Sequence, residues 1–148
     1  MVQLSVNEIE EINEEIFNRI PGAKIVKHYQ VSSINLLVAR HYMEAYECYQ
    51  KYVVLAGQVE QEEALKFTYI VVTGLLRMAS YKEAKKVLMQ AKKIYRGNEF
   101  ILNNLAVVLV KLHEYESALA ILEEGLTLQE KNEKMKRNYE KLKSFLRS

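Results

Sequence analysis

The sequence predicts an all-α fold in which pairs of helices repeat in tandem, and three observations carry that expectation. Its 148 residues include one proline and five glycines, too few for the many tight turns of a strand-rich domain, which draw on Gly, Pro, Asn and Asp. Apolar residues recur three and four apart along much of the chain, the spacing that puts side chains on one face of a helix. The chain also matches itself when shifted by 34 residues, and self-similarity at a fixed period of that length marks a solenoid of stacked units.

Composition sets the outer bounds. With 49% hydrophobic and 27% charged residues, the chain reads as one soluble domain, 1–148, able to bury roughly 68–70% of its unfolded surface. Cys48 is the single cysteine and cannot form an internal disulfide, and no Cys/His pair has metal-ligand spacing. Residues 1–20 lack a basic region followed by an apolar core, and no apolar run approaches the roughly 18 residues of a membrane span. The expectation is a cytoplasmic protein with no membrane partner, no cofactor and no metal.

The self-match is specific in kind. A shift of 34 aligns Thr68, Val71, Val72, Leu75, Tyr81, Ala84, Leu88, Ala91, Ile94 and Asn98 with Leu102, Leu105, Ala106, Leu109, Tyr115, Ala118, Leu122, Gly125, Leu128 and Asn132. A small residue stands three beyond each tyrosine, a larger apolar one four further, and a second small residue three beyond that. All fall on one helix face. A looser copy upstream uses Tyr29, Ser32, Ser33 and Leu36, then Tyr42, Ala45, Tyr49 and Tyr52, at an offset of 39. The five extra residues are expected in the helix ending near Ala56 or in the connection 57–60.

This pattern resembles the tetratricopeptide repeat: Tyr81, Ala84, Leu88 and Ala91 look like that family's second helix, and Tyr115, Ala118, Leu122 and Gly125 repeat it. Leu102, Leu105, Ala106 and Leu109 supply the first helix. Departures are Val72 and Ala106 where the family prefers glycine, and Arg96 and Glu130 where it prefers a closing proline. The resemblance implies a right-handed α-solenoid of three hairpins, over 24–57, 60–96 and 99–130. It extends over roughly 26–132.

The ends are read from local chemistry. Ser5 with Glu8 has the form of a capping box opening a helix over 6–20, whose Ile9, Ile12, Ile16 and Ile20 make one stripe before Pro21 and Gly22 stop it. Met135, Tyr139, Leu142 and Leu146 make an amphipathic helix over 132–147, which caps the stacking face that a last repeat leaves bare. Five Glu against one Arg in 1–20, and seven Lys/Arg against two Glu in 131–148, make the two ends electrically opposite.

Function is expected on the inner helices, which are apolar nearly all round and must be covered on every side. The family resemblance implies a concave groove lined by Gln30, Ile34, Leu37 and Val38, then Tyr69, Thr73, Leu76 and Arg77, then Asn103, Val107, Val110 and Lys111. It further implies a scaffold that binds an extended or helical peptide of a partner protein, as adaptor or co-chaperone. The alternative occupants are the chain's own N-terminal helix and a second subunit in a homodimer. A subset of the family grips acidic chaperone C-termini through a lysine, asparagine and arginine clamp. Gln30, Ile34, Ile70, Phe100 and Asn104 stand at those positions, so that subclass is rejected.

Catalysis finds no motif: His28, His41 and His113 stand alone, and nothing near Cys48 in sequence activates it. The alternative function is nucleic-acid binding through Lys82, Lys85, Lys86, Lys92, Lys93 and Arg96 with the basic tail. Interrupting glutamates and a net charge of +2 make it the weaker reading. The run 69–73, rich in β-branched residues, reads locally as a strand, but its phase in the repeat assigns it to a helix.

Overall fold

The computed structural model describes residues 5–8, 22–56, 61–129 and 131–148, and among them every regular element is an α-helix. The helices are α1 (Gly22–Val38), α2 (Tyr42–Ala56), α3 (Gln61–Arg77), α4 (Tyr81–Ile94), α5 (Glu99–Lys111), α6 (Tyr115–Leu128) and α7 (Glu133–Arg147). They fall into two compact units, Met1–Glu83 and Ala84–Ser148. The chain enters on a capping box: Ser5 N donates to Glu8 Oε2 at 2.9 Å and Glu8 N to Ser5 Oγ at 3.2 Å. Residues 6–8 are helical; the rest of the helix expected over 6–20 lies outside the described residues.

The repeat is written into the backbone as well as the side chains. Three residues join the helices of each hairpin, and the middle one, Arg40, Ala79 or His113, has φ of 64, 55 or 63°. Each donates its N–H to Leu37, Leu76 or Val110 O at 3.0 Å. The next residue reaches back five: His41 N to Leu36 O at 2.8 Å, Ser80 N to Leu75 O at 2.9 Å, and Glu114 N to Leu109 O at 2.8 Å. This pair of hydrogen bonds to carbonyls of the last helical turn is a Schellman stop. Its usual residue is glycine, because a Cβ in the left-handed region costs roughly 1–2 kcal/mol.

None of the three turns uses glycine, and Ala79 is exposed. Ala79→Gly is therefore expected to stabilise the protein by about 0.5–1 kcal/mol, the relief of strain exceeding the added freedom of the unfolded chain. Thermal melting followed by circular dichroism should rise by a few degrees; a lower midpoint would show that the turn carries no strain.

Burial follows the sequence register. In the first unit Tyr29, Ser33 and Leu36 of α1 and Ala45, Tyr49 and Tyr52 of α2 are buried, with Phe67, Thr68, Val71 and Val72 of α3. Buried hydroxyls are paired: Thr68 Oγ1 donates to Ala64 O at 2.8 Å, so the 2.7 Å bond between Tyr49 and Thr68 has the tyrosine as donor. Ser33 Oγ donates to Tyr29 O at 2.8 Å. Leaving such a group unpaired would cost about 1–3 kcal/mol.

In the second unit Ala84, Leu88 and Ala91 of α4, Leu102, Leu105 and Leu109 of α5, and Ala118, Leu122 and Gly125 of α6 are all buried. The small residues let backbones approach. At Gly125 a Cβ would stand 2.5 Å from Met135 Sδ on α7, which leaves no room for alanine without moving that methionine. The aligned Asn98 and Asn132 do the same work one repeat apart: each caps a helix, accepting from Ile101 N at 3.1 Å and Met135 N at 3.0 Å.

Of the two places expected for the five extra residues of the first offset, the connection 57–60 lies outside the described residues. The other, α2, is only one residue longer than α4. Most of the insertion extends the start of α3, which has 17 residues where α5 has 13. Glu62 and Glu63 in its first turn favour that extension, since carboxylates are stabilised at the positive end of a helix dipole.

Candidate peptide-binding cleft

A well-formed recess opens in the second unit, and its walls follow from the apolar excess of α5. A helix apolar all round cannot be covered by one hairpin partner. Ile101, Leu102, Leu105, Val108 and Leu109 are buried, whereas Val107 keeps 37% exposure. Val107, with its helix neighbours Ala106, Val110 and Lys111, forms one wall of a cleft of about 440 Å³. Tyr115 and Leu122 of α6 contribute to its lining, and Asn138, Lys141, Leu142 and Phe145 of α7 form the other wall. That volume lies within the range of sites that take small ligands or side chains.

A register links the two walls. Asn138 Nδ2 donates to Asn103 Oδ1 at 2.8 Å across 35 residues. Carried one and two turns further, the same offset sets Lys141 and Leu142 opposite Ala106 and Val107, and Phe145 opposite Val110, which are the residues lining the cleft. Phe145 is 57% exposed and leans on the Tyr115 ring at 5.2 Å between centroids.

The residues expected in the groove are distributed as follows. Val107, Val110 and Lys111 meet in the cleft. Asn103 is buried and committed to Asn138 rather than presented to a ligand. In the first unit Ile34 and Val38 are exposed on α1 and Gln30 is half-buried. Leu37 is turned inward, its Cδ1 3.6 Å from where a Cβ on Gly74 would stand. On α3, Tyr69, Thr73 and Leu76 are half-buried and Arg77 is exposed. Sequence reasoning missed Tyr115, Asn138, Lys141 and Phe145 as lining residues. The available signal was the 34-residue register itself, which sets α7 beside α5 as a further first helix.

Charge is unevenly used in this unit. On the outer side Lys85 Nζ donates to Glu114 at 2.8 and 3.0 Å, and Lys92 Nζ lies 3.0 Å from Glu124. These pairs neutralise part of the lysine face considered for nucleic acid. No carboxylate lines the cleft, and neither Lys111 nor Lys141 has an acidic partner among the described residues.

Elsewhere, burial holds the His28 imidazole below its ordinary pKa of 6.5, so at neutral pH it is an uncharged neighbour of Ser32 Oγ at 3.3 Å. Among the described residues no three His, Cys, Asp or Glu side chains converge as a metal site. No helix among them is long and apolar enough to cross a membrane.

Helix hairpins in this register define an all-α helical-repeat solenoid of the tetratricopeptide type, and solved structures agree. The chain is similar to the first tetratricopeptide domain of Spaghetti (RPAP3), solved bound to the HSP90 peptide SRMEEVD. That match has a TM-score of 0.59 and 16% identity, and covers 87% of this chain and 98% of that one. It is also similar to a double mutant of MamA RS-1, with a TM-score of 0.56 and 12% identity over 99% of this chain and 88% of that one. A third match is MamA 41-end from Desulfovibrio magneticus RS-1, with a TM-score of 0.52 and 13% identity over 95% and 85%. At such identities the likeness is one of fold. No protein-family model matches the sequence, and no curated protein matches it.

Proposed function

We propose that the chain is a protein-interaction scaffold, an adaptor or co-chaperone, that holds an extended or helical segment of a partner protein, with the α5–α7 cleft as its main binding surface. In this reading the hairpins 24–57, 60–96 and 99–130 are the repeats, and 132–147 is the cap that completes the cleft. The carrying observation is an open cleft whose apolar walls present Val107, Val110, Leu142 and Phe145. Its bottom is closed by well-packed helices, so a ligand gains apolar contact without reorganising the core. A domain of the same fold has been solved with a peptide bound, which supports the class of partner. Gln30, Ile34, Val38, Tyr69, Thr73, Leu76 and Arg77 are proposed as a second binding surface in the first unit.

Phage-displayed random peptides selected on the full chain, then titrated by fluorescence anisotropy, test this. Val107→Asp is expected to weaken the selected peptides at least tenfold, because it puts a charge where apolar side chains must dock. Val54→Asp, at a site 69% exposed on α2, should leave them unchanged. Equal binding by the two variants would refute the cleft.

A further inference from the structure

We infer that the cleft selects an acidic apolar segment: one or two large apolar side chains flanked by carboxylates that pair with Lys111 and Lys141. The inference rests on the peptide reading above and adds the chemistry of the partner. Its observation is an asymmetry of charge. Two lysines from opposite walls, one on α5 and one on α7, line a largely apolar cleft whose other polar groups, on Tyr115 and Asn138, are uncharged and which contains no acidic side chain. On the outer face of the same unit, by contrast, Lys85 and Lys92 are held by Glu114 and Glu124. A cation beside a low-dielectric wall attracts a carboxylate more strongly than one in open solvent, and repels a basic segment by the same physics.

The dimensions limit the occupant. From Ala106 to Lys111 the α5 wall is about 7.5 Å long at 1.5 Å per residue. That length admits between one and two turns of helix or about two extended residues. Val107, Leu122, Leu142 and Phe145 offer the apolar contacts, while Lys141 stands by the register at the level of Ala106 and Lys111 at the far end. Recognition therefore needs carboxylates on both sides of the apolar anchor. It needs no free C-terminus, because both cations are side chains along the walls rather than a clamp closed around a chain end.

The test uses the full chain and three fluorescein-labelled helical peptides: one with two leucines a turn apart flanked by aspartates, its lysine counterpart and its serine counterpart. Wild type should bind the aspartate peptide about tenfold more tightly than the serine one, and the lysine one most weakly. The double variant Lys111→Glu, Lys141→Glu should reverse the order of the two charged peptides with an unchanged melting midpoint, since both sites are exposed. Equal affinity for all three peptides, or an order that survives the double variant, would overturn the inference while leaving the peptide reading standing, provided Val107→Asp weakens binding at least tenfold. Failure of wild type to bind any of the three would overturn both.

Discussion

Replacing Phe67 by alanine is expected to destabilise the protein by about 3–5 kcal/mol, the usual cost of truncating a buried aromatic ring. Phe67 is 1% exposed on α3 and meets two tyrosines of α2. Its ring sits edge-on to Tyr52 at 4.6 Å between centroids and tilted on Tyr49 at 6.2 Å. Those two tyrosines occupy the repeat positions where the later copy has Leu88 and Ala91. The first hairpin thus fills with rings the space that the others fill with aliphatic groups, and one deletion strips contacts from both. Urea unfolding followed by circular dichroism measures the loss, and Phe67→Leu, which retains most of the volume, should lose much less. A loss below about 1 kcal/mol for alanine would mean that the cluster relaxes to refill the site.

Ala118→Leu tests the opposite limit. Ala118 has no exposed surface and stands three residues beyond Tyr115, at the face of α6 that packs on α5. Added methylenes there must push the two helices apart, at a cost of about 1–3 kcal/mol or somewhat more for a site this tight. Ala84→Leu, its equivalent one repeat earlier and equally buried, should behave alike. The control must be chosen from the structure. Lys85 looks like a surface residue by sequence but holds Glu114, so Lys85→Leu gives up a surface pair worth up to about 1 kcal/mol. Lys93, exposed on the same helix, is the inert site. If Ala118→Leu and Lys93→Leu melt together, the repeat register is wrong.

The parts of the fold legible in the sequence are those carried by spacing within one helix. Tyr115, Ala118, Leu122 and Gly125 announce a buried face because 3.6-residue periodicity is local. Ser5 with Glu8 announces a helix start for the same reason. Asn98 and Asn132 were equally readable as caps, each being followed at once by a glutamate and three residues on by a large apolar residue, Ile101 or Met135.

The hairpin stops were not legible, because Arg40, Ala79 and His113 occupy a backbone region whose usual signal is glycine. The length of α3 was hidden too: an offset of 39 counts inserted residues without saying which element holds them.

The site was readable only on one wall. Val107, Val110 and Lys111 follow from the phase of α5, but Lys141 and Phe145 line the cleft through packing between residues about 35 apart. The same long-range pairing ties Asn103 to α7, its carbonyl being satisfied by Asn138.

The most direct measurement is a backbone-amide NMR titration of the full chain with the aspartate–leucine peptide. Shift changes should concentrate at residues 106–111 and 138–145, with Tyr115 and Leu122, and leave the lysine face of α4 at its free positions. Changes centred on Lys82, Lys86 and Lys93, or absent from both walls of the cleft, would contradict the account.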